Sequence, residues 1–295
     1  MHHYRRLLIV PVVISVAAVL ALVLWGLKPG IDLTGGSLLQ VSYSGERPTF
    51  EQISATGREA NIGDVRVQPT GETGYILRAR DLSTEEKTTL ESSLGALGTM
   101  HEDQFDSVGP TIGQELLHKG LIALALVALC IVLFIAFALR KVSKPVSSWK
   151  YGLVAILTLM HDILIPVGLF AYLGHATGAE VDSLFIVALL TLLGVSINNT
   201  IVVFDRIREN LRLNHEHGKK EHFETTVGHS VMQTLARSFN TSLTVVIVLF
   251  ALYLVGPGST QDFALTLIVG IVAGTYSSIF LATPLLVWIE ARQRG

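Results

Sequence analysis

Six long apolar runs constrain the fold of this chain more than any other feature of its sequence. About 20 consecutive apolar residues are enough for one α-helix to cross a bilayer. The chain is therefore predicted to be an α-helical integral membrane protein with six transmembrane helices. The fifth run is short, and the last is long enough to tilt or to extend beyond the bilayer. The runs cover approximately residues 7–27, 120–139, 152–173, 184–204, 241–255 and 263–289.

The first run is expected to be retained as transmembrane helix 1. It is longer than the central region of a secretory signal peptide, and the Lys28-Pro29-Gly30 segment that follows has no small-residue cleavage pattern. We assign residues 1–27 to a cytoplasmic N-terminus and helix 1. Residues 120–295 are assigned to helices 2–6 with their cytoplasmic loops.

The intervening residues, 28–119, are predicted to form an acidic soluble domain, with eight Lys/Arg against fourteen Asp/Glu. Capping-box sequences at Thr49/Gln52 and Ser83/Glu86 each predict the start of a helix, ending near Asn61 and Leu97. Alternating apolar residues predict strands at about 37–43, after the Gly35-Gly36 turn, and at 65–68, 75–80 and 99–107. The order β-α-β-β-α-β is typical of an α+β ferredoxin-like domain.

The loops between the apolar runs differ in charge. Residues 140–150 contain four basic residues and no acidic one, and residues 205–237 contain six basic residues. Residues 174–182 and 256–262 contain no Lys or Arg. Basic loops stay on the cytoplasmic side of a membrane. The sequence therefore predicts a multi-pass protein of the cytoplasmic (inner) membrane with both termini in the cytoplasm and the 28–119 domain outside.

Nothing in the sequence predicts an enzyme. The chain has no phosphate-binding glycine-rich motif for nucleotide hydrolysis and no H-E-x-x-H or G-x-S-x-G protease motif. The single cysteine, Cys130, can form neither a disulfide within the chain nor a cysteine-based metal site. His215 and His217 have no accompanying carboxylate or cysteine cluster. We expect no metal, no bound cofactor and no nucleic-acid partner.

Polar residues within the apolar runs are the candidates for function, since each is costly in hydrocarbon unless it has a partner. His161 and Asp162 lie near the middle of the third run, where they form either a proton-relay pair or a structural pair that holds two helices together. Asn198 and Asn199, with Ser196, lie in the fourth run and either join helices or line a polar cavity.

Three further features lie within or beside the later runs. Arg237 lies just before the fifth run and is either an interfacial anchor or a functional cation. Gly270 and Gly274 form a small-xxx-small pair that permits close helix packing. The DRIREN segment at 205–210 is predicted to end an amphipathic helix at the inner surface, where Arg206, Arg208 and Arg212 would meet anionic membrane lipids.

Stretches throughout the chain match one family. The chain resembles the SecF family, whose members are subunits of the SecD–SecF accessory complex of the Sec protein-export machinery. All six predicted spans carry or adjoin a matching stretch, and only the middle of the soluble domain lacks one. The matching stretches are GIDLTGGSLLQV, VGPTIGQEL, MHDILIPVGLF, SINNTIVVFDRIREN, RSFNTSLT and GTYSSIF.

The resemblance implies a six-span protein of the resistance-nodulation-division superfamily that pairs with SecD beside the SecY/SecE/SecG channel. It implies that the proton, as coupling ion, drives movement of the outer domains, which helps to pull out an unfolded preprotein after the ATPase SecA has pushed it in. The resemblance also implies a place in the proton path for Arg237, for His161 and Asp162, and for the Asn198-Asn199 segment.

One position departs from the family pattern. The family usually has an acid where this chain has Asn199, and an amide cannot carry a proton as a carboxylate does. Either this lineage uses a carboxylate supplied by SecD, with Asp162 assisting, or Asn199 imitates a permanently neutral acid. We expect Asn199 and Arg237 to lie near each other across the spans.

Two alternatives to a proton-driven export subunit stay open from the sequence. One is a secondary transporter or exporter of small molecules or lipids, although such proteins usually carry twelve spans and two large outer domains. The other is a non-transporting scaffold that holds SecD and the channel together. A scaffold would tolerate neutral residues at Arg237 and Asp162.

Overall fold

The computed structural model describes residues 4–60, 62–138, 148–219, 221–256 and 258–294. It divides the chain into a membrane unit, Met1–Lys28 with Ile122–Gly295, and a small unit, Pro29–Leu121. Most of the basic loop predicted at 140–150, the first three residues and Asn61, where the first helix of the soluble domain was predicted to end, lie outside the described residues.

The helices and strands follow the predicted order along the chain. Two four-residue helices, Tyr4–Leu7 and Ile31–Thr34, accompany the longer helices. The strands are β1 Gly36–Tyr43, β2 Arg66–Thr70, β3 Gly74–Ala79 and β4 Met100–Val108. The longer helices are α1 Ile9–Trp25, α2 Phe50–Glu59, α3 Thr84–Gly95, α4 Pro110–Ala138, α5 Ser148–Ala176, α6 Ser183–Glu216, α7 Phe223–Val255, α8 Gly258–Ser277 and α9 Thr283–Arg294.

The small unit is a four-stranded antiparallel sheet with two helices. The strand order is β2-β3-β1-β4, with β1 paired to both β3 and β4. Both helices begin with the predicted capping boxes, at Thr49 with Gln52 and at Ser83 with Glu86. Each box satisfies two backbone N–H groups that a helix start leaves unpaired. The core contains side chains from the sheet and both helices, including Leu39, Val41, Ile53, Leu77, Leu90 and Leu94.

Gly35 and Gly36 connect the Ile31–Thr34 helix to β1 in conformations that side chains rarely adopt, with φ of 79° and 131°. A Cβ at Gly35 would overlap the backbone of Pro110, and one at Gly36 would lie 2.7 Å from the carbonyl oxygen of Ala79. Glycine is therefore required at both positions by conformation and by space.

Among the described residues of the membrane unit, five helices are long and apolar enough to cross a bilayer: α4, α5, α6, α7 and the last helix, formed by α8 and α9. The first apolar helix, α1, has 17 residues. It packs on α5, where Gly168 allows contact, since a Cβ there would lie 2.5 Å from the Cβ of Ala18. α8 packs against α5, α6 and α7. The apolar window of α4 is not buried within the chain.

Two local features of this unit were not predicted from the sequence. A π-helical turn, Ser278–Ala282, joins α8 to α9. Such turns insert one extra residue into a helix and are frequent at functional sites. The second is the long hairpin of α6 and α7, whose polar residues pair with each other: Arg206 donates to Gln233 at 2.6 Å and Asn210 donates to Ser230 at 2.8 Å. Part of the predicted lipid-facing segment thus bonds across the hairpin.

Candidate functional site

A fully buried carboxyl group lies at the contact of three membrane helices. Asp162 on α5 is 0% exposed, and the hydroxyl of Ser196 on α6 donates a hydrogen bond to its Oδ2 atom. Gly274 on α8 faces the same pair, since a Cβ there would lie 3.4 Å from Asp162 Oδ2 and 3.1 Å from Ser196 Oγ. The other oxygen, Asp162 Oδ1, has no hydrogen-bond partner among the described residues.

The small residues of α8 allow this contact. A side chain at Gly270 would overlap Leu192 of α6, one turn before the Gly274 contact. Both members of the small-xxx-small pair therefore face α6. Because Cβ atoms would force the two helices apart, the glycines bring the α8 backbone within reach of the Asp162 carboxyl.

His161 does not share this environment, although it precedes Asp162 directly. Its Nδ1 atom lies 2.6 Å from Ser15 Oγ on α1. Successive helical residues point about 100° apart, so the two side chains contact different helices. His161 is 4% exposed, and its Nε2 atom has no hydrogen-bond partner in the described part of the chain. The histidine joins α5 to α1, and the aspartate joins α5 to α6.

Asn199 lies at a second polar contact, between α6, α7 and α8. It is 4% exposed, and its Nδ2 atom donates to Ser242 Oγ at 3.3 Å and to Thr275 Oγ1 at 3.5 Å. Thr275 in turn donates to Ser242 at 2.6 Å. The amide therefore belongs to a three-helix hydrogen-bond cluster. Its neighbour Asn198 is exposed on the surface of the membrane unit.

Arg237 lies outside the bundle, in an exposed position on α7. It faces an open groove of about 400 Å³ whose other lining residues are Val202, Asp205, Arg206, Glu209, Gln233 and Thr234. Within the described ranges its guanidinium has no hydrogen-bond or ion-pair partner.

Asn199 and Arg237 both lie on the α6–α7 hairpin, but Asn199 bonds to Ser242, five residues beyond Arg237, and faces inward. The two side chains form no hydrogen bond with each other.

The chemistry available at these positions differs. A carboxyl can take up and release a proton, whereas an asparagine amide cannot. Burying a charge without a counter-ion is costly, so ionisation of Asp162 has to be coupled to a change in its surroundings. Ser196 already donates to it, and Ser277, also fully buried, lies beside it. The arrangement suits reversible proton binding.

Sequence reasoning missed several partners. Ser15, Ser242 and Thr275 were not singled out, although Ser242 and Thr275 lie within the matching stretches RSFNTSLT and GTYSSIF. A buried ion pair between Lys150 and Glu290 was also missed. The sequence did contain a signal for this pair, because Lys150 and Glu290 each adjoin an apolar run at its predicted cytoplasmic end. No group of three or more His, Cys, Asp or Glu that could hold a metal occurs among the described residues.

Two family profiles match the chain. The profile described as "Protein export membrane protein SecD/SecF, C-terminal" matches residues 89–292. The profile described as "SecD/SecF GG Motif" matches residues 26–46, which include Gly35 and Gly36.

Individual proteins are similar over most of the chain. The protein translocase subunit SecF of Thermobaculum terrenum is 43% identical over 289 residues, which cover 93% of this chain and 88% of that protein. The subunit of the same name from Anaerolinea thermophila is 36% identical over 285 residues, covering 95% and 90%.

Solved structures of SecDF have a similar fold. The crystal structure of SecDF from Thermus thermophilus, described as a translocon-associated membrane protein, superposes with a TM-score of 0.84 at 30% identity. A structure of SecDF in a super-membrane-facing form gives 0.69 at 29% identity and covers 100% of this chain and 39% of that one. The superposition with the Thermus thermophilus structure covers 98% of this chain but only 38% of the SecDF chain.

Proposed function

Because the chain belongs to the SecF family of protein translocase subunits, we propose that it acts with SecD to couple the proton gradient to late steps of preprotein export across the cytoplasmic membrane. The observation that carries this proposal is the buried Asp162 carboxyl, which lies at a three-helix contact and forms no ion pair among the described residues. An intramembrane carboxyl of this kind is a default candidate for proton transfer.

Asp162 is the proton-binding group of this chain. Ser196 already donates to it, so loss of its proton leaves a charge that needs a further hydrogen-bond donor, and the hydroxyl of Ser277 on α8 is close to it. Recruiting Ser277 changes the packing of α5 against α8. Gly274 and the π turn that begins at Ser278 allow the last helix to adjust. The chain therefore converts a protonation change into a helix shift.

The other candidates support this step. Asn199, with Ser242 and Thr275, keeps α6, α7 and α8 together as a neutral hydrogen-bond cluster. Arg237 presents an unpaired, exposed guanidinium that suits a carboxylate on the partner subunit SecD. His161 holds α1 against α5 through Ser15.

The protein crosses the membrane six times. α1, with 17 residues, is at the short end of the spanning range at about 25 Å. Both termini are cytoplasmic, because the basic loops then lie inside. The small unit is an extracytoplasmic ferredoxin-like domain, which its strand order β2-β3-β1-β4 and the two intervening helices support. The domain boundaries fall near residues 28 and 120.

The partners follow from the family. SecD is the direct partner, in keeping with the SecDF chain of which this protein spans 38%. The SecY/SecE/SecG channel, unfolded preprotein and membrane lipids are further contacts, and SecA acts indirectly. The chain itself performs no covalent chemistry.

The test is proton-driven flux in sealed membrane vesicles that contain this chain with SecD, combined with pulse-chase analysis of a secreted protein. Asp162→Asn preserves the shape and the acceptor for Ser196 but cannot release a proton, so flux and export both fall at normal protein levels. Glu216→Gln, an exposed carboxylate at the end of α6 outside the site and the groove, is the control and leaves both unchanged. Full flux and full export by Asp162→Asn would favour a non-transporting scaffold.

A further inference from the structure

A buried ion pair joins the first turn of α5 to α9. Lys150 Nζ lies 2.6 Å from Glu290 Oε2, and the two residues are 4% and 5% exposed. Removing two charges from water is costly and is offset only by close pairing and further hydrogen bonds. Neither residue belongs to the Asp162 site, so the pair needs its own explanation.

Two further polar groups lie beside the pair. The Tyr151 hydroxyl is buried without a hydrogen-bond partner among the described residues, and it interacts electrostatically with Glu290 and with Arg208 on α6. Arg208 Nε is also buried without such a partner. We call Lys150, Tyr151, Arg208 and Glu290 the end cluster. Four polar side chains from α5, α6 and α9 therefore gather at this end of the bundle, with the Lys150–Glu290 ion pair among them.

An apolar layer separates the end cluster from Asp162. Lys150 precedes Asp162 by twelve residues on α5, which is about 18 Å along the helix. The space between is filled by buried side chains of α5, α6 and the last helix, namely Val154, Ala155, Val203, Phe204, Ala282, Leu286 and Val287. The hydroxyls of Thr158 and Thr283 in this region donate to carbonyl groups of their own helices at 2.8 and 2.6 Å. Both hydroxyls are therefore satisfied within their own helices.

We propose that the Lys150–Glu290 pair is the cytoplasmic closure of the proton path, and that it has to separate for water to reach Asp162 from the cytoplasm. The inference rests on the proposed function and on the proposed orientation. An ion pair suits a closure that reopens, because the separated charges can be hydrated, whereas two apolar side chains would favour only the closed state. Tyr151 and Arg208 gain partners when water enters.

The experiment uses the full chain with SecD in sealed vesicles and compares three changes. Glu290→Gln leaves Lys150 without its counter-ion, so water enters and passive proton leak rises above that of the unchanged chain. Lys150→Met/Glu290→Met removes both charges without leaving either unpaired. The protein then folds and its passive proton leak stays low, but proton-driven flux and export fall. Lys150→Glu/Glu290→Lys restores the pair in reverse and restores flux.

The double apolar variant decides between a closure and a merely structural pair. A structural pair can be replaced by apolar residues without loss, so normal flux and export by this variant would overturn the inference. Unchanged leak in Glu290→Gln would also overturn it. Glu216→Gln, which breaks an exposed pair with Arg212 at 3.5 Å, is the control and has no effect.

The outcome is separable from that of the proposed function. Full flux in Asp162→Asn would refute proton transfer by Asp162 whatever the end cluster does. Loss of flux in Asp162→Asn together with normal flux in the double apolar variant would refute only the closure. The accessibility of Asp162 to a water-soluble carbodiimide added from the cytoplasmic side is a second readout, and it rises in Glu290→Gln if the closure has opened.

Discussion

The amide of Asn199 donates a hydrogen bond to Ser242 at 3.3 Å, across the contact between α6 and α7. Thr275 on α8 donates to the same hydroxyl at 2.6 Å. A neutral amide therefore occupies the centre of a cluster whose other members are hydroxyls. Hydroxyl groups can rotate to donate or to accept, so the cluster can accommodate a carboxyl at this position.

We predict that Asn199→Asp preserves accumulation and export. Ser242 and Thr275 can both reorient their protons toward a carboxylate, and a protonated aspartate is nearly isosteric with asparagine. The new group adds a second site for proton binding, so proton-driven flux in vesicles equals or exceeds that of the unchanged chain. Asn198→Asp, on the exposed side of the same helix, is the comparison. Loss of export by Asn199→Asp at normal protein levels would contradict this prediction and would mean that the cluster has to stay neutral.

We predict that Arg237→Ala slows export while the protein and SecD stay at normal levels. The guanidinium is exposed and has no partner among the described residues, so its removal changes stability by only about 0.5 kcal/mol or less. Pulse-chase analysis of a secreted protein measures export, and immunoblotting of membranes measures both subunits. Arg212→Ala, an exposed arginine farther along α6, is the control. If Arg237→Ala exports normally, Arg237 is an interfacial anchor only.

The sequence predicted the elements well and their mutual contacts less well. The two capping boxes and the alternation of Ser37 to Tyr43 are local patterns, and local patterns determine where helices and strands begin. The position of Asp162 near the middle of a long helix followed from its place in an apolar run. Its partner did not, because the rotation of α5 that directs Asp162 to Ser196 and His161 to Ser15 depends on packing between helices.

The dependence on packing between helices also explains the remaining differences between the sequence-based predictions and the structure. The expectation that Asn199 and Arg237 are neighbours came from the family resemblance, which does not say how far each side chain is buried: Asn199 is buried and Arg237 is exposed. The π turn at Ser278–Ala282 has no sequence pattern of its own. The Lys150–Glu290 pair joins residues 140 positions apart. Contacts between residues so far apart in the sequence cannot be predicted from local sequence patterns.

We predict that Gly274→Ala lowers both thermal stability and proton flux. The added methyl would lie 3.1 Å from Ser196 Oγ and 3.2 Å from Ser196 Cβ, so the Ser196 side chain has to move away from Asp162. Overpacking of this kind costs about 1–3 kcal/mol. Gly194→Ala is the matched control, since no heavy atom lies within 4 Å of the added methyl there. Thermal unfolding of the purified complex and flux in vesicles are the measurements. Equal behaviour of the two variants would mean that the α6–α8 contact is looser than described.

The double glycine of the small unit allows a sharper test, because space and conformation can be separated there. Gly35 has a φ of 79°, and a side chain would also overlap the backbone of Pro110. Gly71 has a φ of 55° and open space around it. Gly71→Ala should therefore cost only about 1–2 kcal/mol, the usual cost of a left-handed conformation for a residue with a Cβ.

Gly35→Ala adds a clash with backbone that cannot move aside as a flexible side chain can. We expect it to destabilise the small unit by about 4 kcal/mol or more, beyond the range of ordinary substitutions. Limited proteolysis of vesicles in which the small unit is accessible measures the difference, with rapid cleavage within residues 29–121 expected for Gly35→Ala and slow cleavage for Gly71→Ala. Similar resistance in both variants would show that the Ile31–Thr34 helix and Pro110 can separate without unfolding the unit. The GG segment would then be a flexible joint and not a fixed contact.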